Sequence, residues 1–237
     1  KNTDTSYFEI TIEDTVLVLT GLEPASKYSW KVRANCSEIN MSDWSEEEQF
    51  ITYASLPYFC GFENLQESSP WLMYNDPSNN VNQWAIGSAT QNTGNSALYI
   101  SSNSGQSYAY NTGRTSAAWA CLDIYLEPGH SEYQLSFDCQ GMGQYGQDYM
   151  RVYLGNPVTI SDMLAFPDSN MIQLTEDINL LSVWTHYGIP IDSSWTGYRR
   201  LYLYWYNNYN SGVNPPVAVD NIEITGNGCR IPVDLTN

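Results

Sequence analysis

The sequence predicts an all-β protein built on an antiparallel jelly-roll β-sandwich. Three observations lead to this prediction. Helical periodicity is almost absent, runs rich in Tyr, Val, Ile and Leu alternate apolar with polar residues, and clusters of Gly, Asn, Pro and Ser separate the runs. Such alternation buries one side of each strand between two sheets. The predicted strands are 6–12, 15–20, 29–35, 48–53, 97–101, 118–125, 133–139, 148–154, 199–206 and 217–224, and the mixed segment 161–181 has room for one helical turn.

The charge of the chain excludes two classes of partner. Nine Lys and Arg residues against 26 Asp and Glu residues give a formal net charge of −17. Nucleic-acid binding depends largely on basic contacts to phosphate, and an acidic surface is repelled by anionic bilayers. We therefore expect no nucleic-acid partner and no direct membrane insertion. Aromatic residues make up 14% of the chain, which distinguishes it from acidic disordered chains.

Residues 1–54 contain the pattern of a Greek-key corner. Leu22 and Pro24 precede Tyr28 between two alternating strands, and Trp30 and Trp44 follow. The hydroxyl of such a Tyr can hydrogen-bond the upstream backbone, in the arrangement called a tyrosine corner. This pattern resembles the second half of a fibronectin type III domain, which is an Ig-like sandwich. The resemblance implies a partial module whose first strands are missing.

Residues 55–226 differ in sequence pattern from residues 1–54 and carry a short motif at each end. Phe62-Glu63-Asn64 opens this part, and Val217–Ile224 closes it. The order of these motifs resembles the MAM-type and cleaved-adhesin jelly rolls of multidomain bacterial surface proteins, and the ends also resemble carbohydrate-binding modules. The resemblance implies a secreted or cell-surface adhesion or binding module, with a glycan or a host or cell-surface protein as its partner. Residues 227–237 resemble a linker or the start of a further module, so neighbouring modules of a longer chain are expected partners.

Five cysteines allow no complete pairing within the chain. Ser68-Ser69 stands where MAM domains have a second cysteine, so the MAM disulfide arrangement is not expected. Resemblance to tandem modules implies partners for Cys36 and Cys229 in neighbouring modules, and buried or free thiols are the alternative. Cys121 and Cys139 are candidates for a bridge between neighbouring strands, which leaves Cys60 over. CxxC pairs of a structural zinc site are absent from the sequence.

Few residues fit catalytic chemistry. The two histidines are His130, in a predicted turn, and His186, in a predicted strand, and neither a G-x-S-x-G elbow nor a phosphate-binding loop with Lys is present. A glycoside hydrolase needs two suitably spaced carboxylates. The E-x-D-x-x-E run of jelly-roll glucanases is absent, and strand alternation predicts opposite faces for Asp220 and Glu223. We expect no enzyme; a structural spacer and a glycoside hydrolase are the alternatives.

A structural calcium site is predicted where the first and last strands of the jelly roll meet. Glu63 ends the opening motif and Asp220 lies in the closing strand. Two like charges brought together are costly unless a cation neutralises them, and Ca²⁺ accepts carboxylate, backbone and Asn oxygens. The resemblance assigns calcium to Glu63 and Asp220, and Asn95 of the intervening loop is a weaker candidate ligand. Alternatively, both acids are edge carboxylates hydrogen-bonded to turns.

A glycan-binding face is predicted on the outer side of one sheet. Alternation sends Leu201, Leu203 and Trp205 inward, and a second set of residues outward. Tyr rings stack on the apolar faces of sugars, and charged and amide groups bind sugar hydroxyls. The outward residues Tyr202, Tyr204, Tyr206, Tyr149 and Arg151 are therefore candidate ligand contacts. The loop aromatics Tyr108, Tyr110, Tyr145, Trp195 and Tyr209 offer an alternative, with Tyr145 preferred. Ordinary cross-strand pairing, or coverage of this face by the segment 161–181, would explain the same tyrosines without a ligand.

Overall fold

The computed structural model describes residues 7–37, 40–78, 80–159, 171–210 and 212–228, and confirms the all-β prediction. The strands are β1 Lys27–Trp30, β2 Asn35–Ser37, β3 Asn40–Met41, β4 Glu48–Ile51, β5 Ala54–Ser55, β6 Tyr58–Cys60, β7 Trp71–Asn75, β8 Gln83–Gly87, β9 Ala97–Ser101, β10 Ser116–Leu126, β11 Glu132–Gly141, β12 Tyr149–Gly155, β13 Ile172–Gln173, β14 Leu181–Asp192, β15 Gly197–Asn207 and β16 Ala218–Asn227. Helix α1 is one turn, Leu65–Ser68, and Ser193–Trp195 form a 3₁₀ turn. None of the helices described is long and apolar enough to cross a membrane.

Two sheets form the β-sandwich. Sheet I has the order β13-β12-β15-β10-β5, and β7 also pairs with β10. Sheet II has the order β14-β11-β16-β9-β8, and β6 also pairs with β16. The long strands pair antiparallel, whereas the short β5 runs parallel to β10. Strands distant in sequence are therefore neighbours, as in the predicted jelly roll.

The core lies between the two sheets, and strand alternation predicts its residues correctly. Leu201, Leu203 and Trp205 of β15 are each 1% exposed. Phe137 and Cys139 of β11 are fully buried in the same hydrophobic cluster. Since successive side chains of a strand point to opposite faces, the residues between these positions lie on the outer faces.

Several predicted elements differ from the structure. Residues 7–12 and 15–20 alternate in hydrophobicity but form no strand. In contrast, only the part of β14 around His186 was predicted as a strand, whereas the observed strand continues through Gly188 and Pro190 to Asp192. β14 lies at the edge of sheet II, where a proline does not remove a hydrogen bond needed by a central strand.

The predicted tyrosine corner is formed. The backbone N–H of Glu23 donates to the Tyr28 hydroxyl at 2.9 Å, and the Tyr28 ring stacks on Phe50 with centroids 5.5 Å apart. In the described part of this region, β1 pairs only with β4. Apolar side chains such as Trp30 and Val32 are consequently exposed. The fibronectin resemblance itself stays a prediction, and the predicted boundary after residue 54 falls within β5, which joins sheet I.

The predicted bridge between Cys121 and Cys139 is wrong. Cys121 lies on the outer side of β10 in sheet I, whereas Cys139 lies in the core on β11 of sheet II. Both are free thiols, as are the exposed Cys36 and the buried Cys60. Burial raises the pKa of Cys60 to about 11, so this thiol is inert near neutral pH. Cys229 lies outside the described residues.

Candidate functional site

The outer face of sheet I carries a continuous set of aromatic residues, which we call the aromatic strip. Its members are Tyr74, Trp119, Tyr149, Tyr204 and Tyr206. Strand register places Tyr204 beside Trp119, and Trp119 beside Tyr74, so three rings occupy one row across β15, β10 and β7. Tyr149 and Tyr206 face each other in the next row, on β12 and β15. The strip therefore spans four adjacent strands of one sheet.

The rings of the aromatic strip support one another. The centroids of Trp119 and Tyr204 are 5.4 Å apart, and those of Tyr149 and Tyr206 are 5.8 Å apart. Trp119 is buried, whereas the four tyrosines keep part of their surface accessible. Rigid, partly accessible rings can contact a ligand without a large loss of side-chain entropy.

A charged pair borders the aromatic strip. Arg151 lies beside Tyr204 in the register, its guanidinium carbon is 4.4 Å from the Tyr149 ring centroid, and its Nε donates to Asp177 at 2.6 Å. Burial alone would lower the pKa of Arg151, but the hydrogen bond to Asp177 raises it above its usual value. The pair offers donors and an acceptor close to the rings, without net charge.

Tyr202 does not belong to the accessible face, which corrects its predicted role as a ligand contact. Its side chain is fully buried, and its hydroxyl donates to the Asn156 carbonyl at 2.8 Å. Val158 and Met171 pack against the cluster of Tyr202 and its neighbours. Met171 belongs to the segment 161–181, so the alternative that this segment covers part of the face is correct for Tyr202. Positions 160–170 lie outside the described residues. Tyr204, Tyr206, Tyr149 and Arg151 remain partly accessible.

A buried polar network fixes one end of the aromatic strip. Asp148, immediately before β12, is fully buried; it accepts from the Tyr110 hydroxyl at 2.6 Å and from the Asn208 N–H at 3.1 Å. Burial raises the pKa of Asp148. Asn207, the last residue of β15, is also fully buried and accepts from Asn82 Nδ2 at 2.9 Å. These bonds hold the ends of the two strands that carry Tyr149 and Tyr206.

The loop aromatics fall into two groups. Tyr145 and Tyr209 are 82% and 70% exposed, on loops joined by backbone hydrogen bonds between Gly143 and Val213. In contrast, Tyr110 is buried, and Tyr108 donates its hydroxyl proton to the Gln140 carbonyl at 3.0 Å. Tyr145 thus remains a candidate contact on an exposed loop, whereas Tyr108 and Tyr110 hold the fold together.

The two predicted metal ligands hold the same loop. The Glu63 carboxylate accepts from the backbone N–H groups of Asn95 and Ser96 at 2.9–3.0 Å. Asp220 Oδ2 accepts from the N–H groups of Asn92 and Thr93 at 2.9 and 3.0 Å. These bonds lower the pKa of Glu63, whereas burial, with a contribution from the charge of Glu63, raises the pKa of Asp220. Glu63, Asp220 and Asn95 thus meet at the 92–96 loop, and their role as metal ligands stays a prediction.

A bulge in β16 positions Asp220. Asp220 pairs with Asp138 and Glu223 pairs with Ser136, with a register shift between them, and Asn221 adopts φ +52°. Since Ser136 and Asp138 lie on the same side of β11, the bulge brings Asp220 and Glu223 to one face. The expectation that they occupy opposite faces is therefore wrong, because regular alternation does not continue through a bulge.

The chemistry of the donor set fits a hard cation, although its present hydrogen bonds compete with one. Two carboxylates and the amide of Asn95 are suitable Ca²⁺ ligands, and Asp220 is fully buried near a second negative charge. However, amide N–H groups already occupy most of the carboxylate lone pairs. Within the described ranges, there is no group of three or more His, Cys, Asp or Glu side chains that could hold a metal ion. The calcium site stays a prediction.

The histidines have structural surroundings. The His130 ring packs edge-on against Tyr133, with centroids 5.7 Å apart. One ring nitrogen of His186 lies 2.8 Å from Asp138 Oδ1 on the outer face of sheet II. Asp138 also accepts from Asn92 Nδ2 and Asn221 Nδ2 at 2.8 Å each. Both histidines contact residues of β11 in sheet II, away from the aromatic strip, and the predicted strand around His186 is part of β14.

Sequence reasoning missed three members of the site. Tyr74 lies on β7, which was not a predicted strand, and Asp177 lies within the mixed segment 161–181. Trp119 lies in a correctly predicted strand, where its alternation with Ala118 and Ala120 places it on the outer face. That alternation is the signal that could have identified Trp119.

No protein-family model matches the chain, and no curated protein matches it. Among solved structures it is similar to the carbohydrate-binding module TmCBM61, in complex with β-1,4-galactotriose, at 11% identity and a TM-score of 0.41, over 67% of this chain and 89% of that one. It is similar to the K1 cleaved adhesin domain of Lys-gingipain from Porphyromonas gingivalis at 14% identity and a TM-score of 0.44, over 72% and 98% of the chains. It is also similar to the CBM22-1 xylan-binding domain of Paenibacillus barcinonensis Xyn10C, at 9% identity and a TM-score of 0.44, over 71% of this chain and 92% of that one. Similarities of this size assign neither a ligand nor an activity to this chain.

We predict that Gly94→Ala destabilises the fold much more than Gly146→Ala does. Both glycines have φ +64°, so backbone strain of about 1–2 kcal/mol is common to both variants. A Cβ at Gly94 would lie 2.3 Å from Glu63 Oε1, whereas a Cβ at Gly146 meets nothing within 4 Å. Displacing Glu63 also loses its charge-assisted hydrogen bonds to the backbone N–H groups of Asn95 and Ser96. Urea unfolding measures the difference in the free energy of unfolding. Equal losses for the two variants would refute the inference that the Glu63 carboxylate holds this loop.

Proposed function

We propose that this chain is a non-catalytic, glycan-binding module of a secreted or cell-surface protein, and that the aromatic strip binds the glycan. The observation that carries the proposal is the row of partly accessible rings across sheet I, with Arg151 and Asp177 at its border. Ring faces suit the apolar faces of sugars, and the ion pair can exchange hydrogen bonds with hydroxyl groups.

The charge distribution favours an uncharged polysaccharide as the ligand. The chain carries a formal net charge of −17, which repels polyanions at long range. Arg151 borders the strip, but Asp177 neutralises it at 2.6 Å. A neutral sugar chain would meet neither repulsion nor the desolvation of an unpaired charge.

The surroundings of the acids on this face disfavour glycoside hydrolysis. A hydrolase needs one carboxyl group as acid and another as nucleophile or base. Asp177 is bound by Arg151, and Asp123 is bound by Arg200 at 2.5 Å. Because a guanidinium group holds each of these two acids, they are better suited to ligand binding than to proton transfer. A structural spacer remains the competing role, and a host or cell-surface protein the competing partner.

We predict that Tyr204→Ala weakens polysaccharide binding at least tenfold, about 1.4 kcal/mol, because Tyr204 is the accessible ring at the centre of the strip. Affinity electrophoresis in gels containing linear xylan, β-1,4-galactan or mannan measures the effect, with polygalacturonate as the anionic comparison. Phe59→Ala is the matched control, since Phe59 is a 59% exposed aromatic on sheet II. Tyr204→Phe keeps the ring and is expected to retain most of the affinity.

Three results would contradict this proposal. Retention by polygalacturonate alone would refute an uncharged ligand. Equal loss for Tyr204→Ala and Phe59→Ala would refute the strip as the site. Loss for Tyr145→Ala, with full binding by Tyr204→Ala, would assign binding to the loop instead. Thermal unfolding of each variant separates lost binding from lost folding.

We also propose a structural calcium ion held by Glu63 and Asp220, with Asn95 as a further ligand. The buried position of Asp220 beside the charge of Glu63 supports it, because a cation would offset their repulsion. The positive charge of the bound ion would connect three elements, which are the loop before α1, the 92–96 loop and β16.

The calcium proposal predicts that unfolding with excess Ca²⁺ occurs several degrees above unfolding with a chelator, because an ion that binds only the folded state stabilises it. Asp220→Asn is expected to abolish this difference. Asp192→Asn is the control, since Asp192 caps the 3₁₀ turn of residues 193–195 by accepting from the Ser194 N–H at 2.8 Å. Coincident unfolding curves for the unmodified chain would contradict the proposal.

A further inference from the structure

A second group of aromatic residues lies on the outer face of sheet I, away from the aromatic strip. Tyr198 of β15 pairs with Tyr125 of β10, and their ring centroids are 4.8 Å apart. Tyr53, just before β5, brings its ring to within 4.5 Å of the Tyr198 centroid. We call Tyr53, Tyr125 and Tyr198 the second aromatic patch.

The second aromatic patch and the strip share one strand and one face. Tyr198 and Tyr204 are both on β15 and are separated by an even number of positions. Their side chains therefore leave the sheet on the same side. At about 3.4 Å per residue, six residues place them about 20 Å apart along the strand.

The surface between the two aromatic groups is closed. Tyr202 is fully buried, and Arg200 is 7% exposed. Arg200 forms a two-bond ion pair with Asp123 at 2.5 and 2.9 Å, and its Nη1 donates to the Val158 carbonyl at 2.9 Å. Two separate accessible areas thus flank a covered middle section of the same sheet.

The position of Tyr53 is explained by the pairing of the adjacent β5 with sheet I, but this pairing does not explain the exposure of the rest of the patch. Parallel pairing of β5 with β10 already fixes the segment before β5 on sheet I. Tyr198 contacts both neighbouring rings, yet 57% of it remains exposed. Tyr198 is thus a ring supported by its neighbours, as the strip tyrosines are, and it is more exposed than any of them.

We propose that the second aromatic patch is a further sugar-binding site, which takes a distant segment of the same uncharged polysaccharide that the strip binds. This inference rests on the proposed function. The nearby Arg200–Asp123 pair carries no net charge, so this end of the face also suits a neutral ligand. Two sites on one face would raise the affinity for a long chain above that of either site, because the second contact becomes intramolecular.

The test compares a short ligand with a long one. Isothermal titration with xylotriose, galactotriose and mannotriose measures single-site binding, since a trisaccharide does not span both sites. Affinity electrophoresis with the parent polysaccharides measures joint binding. Tyr198→Ala is expected to weaken polysaccharide binding at least tenfold while trisaccharide affinity at the strip changes less than twofold. Tyr198→Phe is expected to restore polysaccharide binding, because the ring rather than the hydroxyl supplies the contact.

Controls separate this inference from the proposed function. Phe59→Ala matches the exposure of Tyr198, at 59% against 57%, and lies on the opposite sheet. If Tyr204→Ala weakens binding but Tyr198→Ala behaves like Phe59→Ala, the second site is refuted and the strip stands. If neither tyrosine variant differs from Phe59→Ala, or if no polysaccharide is retained, both are refuted. Tyr53→Ala provides a second variant of the patch if Tyr198→Ala does not fold, as judged by thermal unfolding.

Discussion

The position of β15 in sheet I is the constraint on which the binding face and the core both depend. This eleven-residue strand pairs with β10 on one side and β12 on the other, so neither its register nor its faces can shift independently. Leu201, Leu203 and Trp205 fill the core, and the alternate residues form the outer face. A slip of one residue would expose the core residues and bury the tyrosines, which strongly disfavours any other register.

Polar groups fix the ends of the strands that carry the aromatic residues. Asp148 and Asn207 are fully buried beside the strip, and the Arg200–Asp123 ion pair closes the face between the strip and the second aromatic patch. An unsatisfied buried polar group is costly, so each of these networks favours one arrangement of the surrounding loops. The accessible rings are consequently held in place before any ligand arrives.

The sequence predicted those parts of the fold that follow from local alternation. The strands around Leu203 and Phe137 were predicted because period-two patterns are strongest where one face is buried. Only the part of β14 around His186 was predicted, because Gly188 and Pro190 interrupt the pattern of the rest of the strand. Because of the bulge at Asp220, the expectation that Asp220 and Glu223 lie on opposite faces was wrong. For the site, Tyr204, Tyr206, Tyr149 and Arg151 were predicted on the accessible face. The burial of Tyr202 beneath Val158, and the approach of Tyr53 to Tyr198, depend on contacts between distant segments, which local alternation does not encode.

The most direct test of the account is an NMR titration of the labelled chain with the soluble oligosaccharide that binds most tightly. If the outer face of sheet I binds the glycan, shift changes concentrate on the ring signals of Tyr204, Tyr206 and Tyr149 and on the Trp119 indole, while Phe59 and His186 on sheet II stay unchanged. Shift changes confined to sheet II, or spread over the core without the Tyr204 ring, would contradict the assignment of the outer face of sheet I as the binding surface.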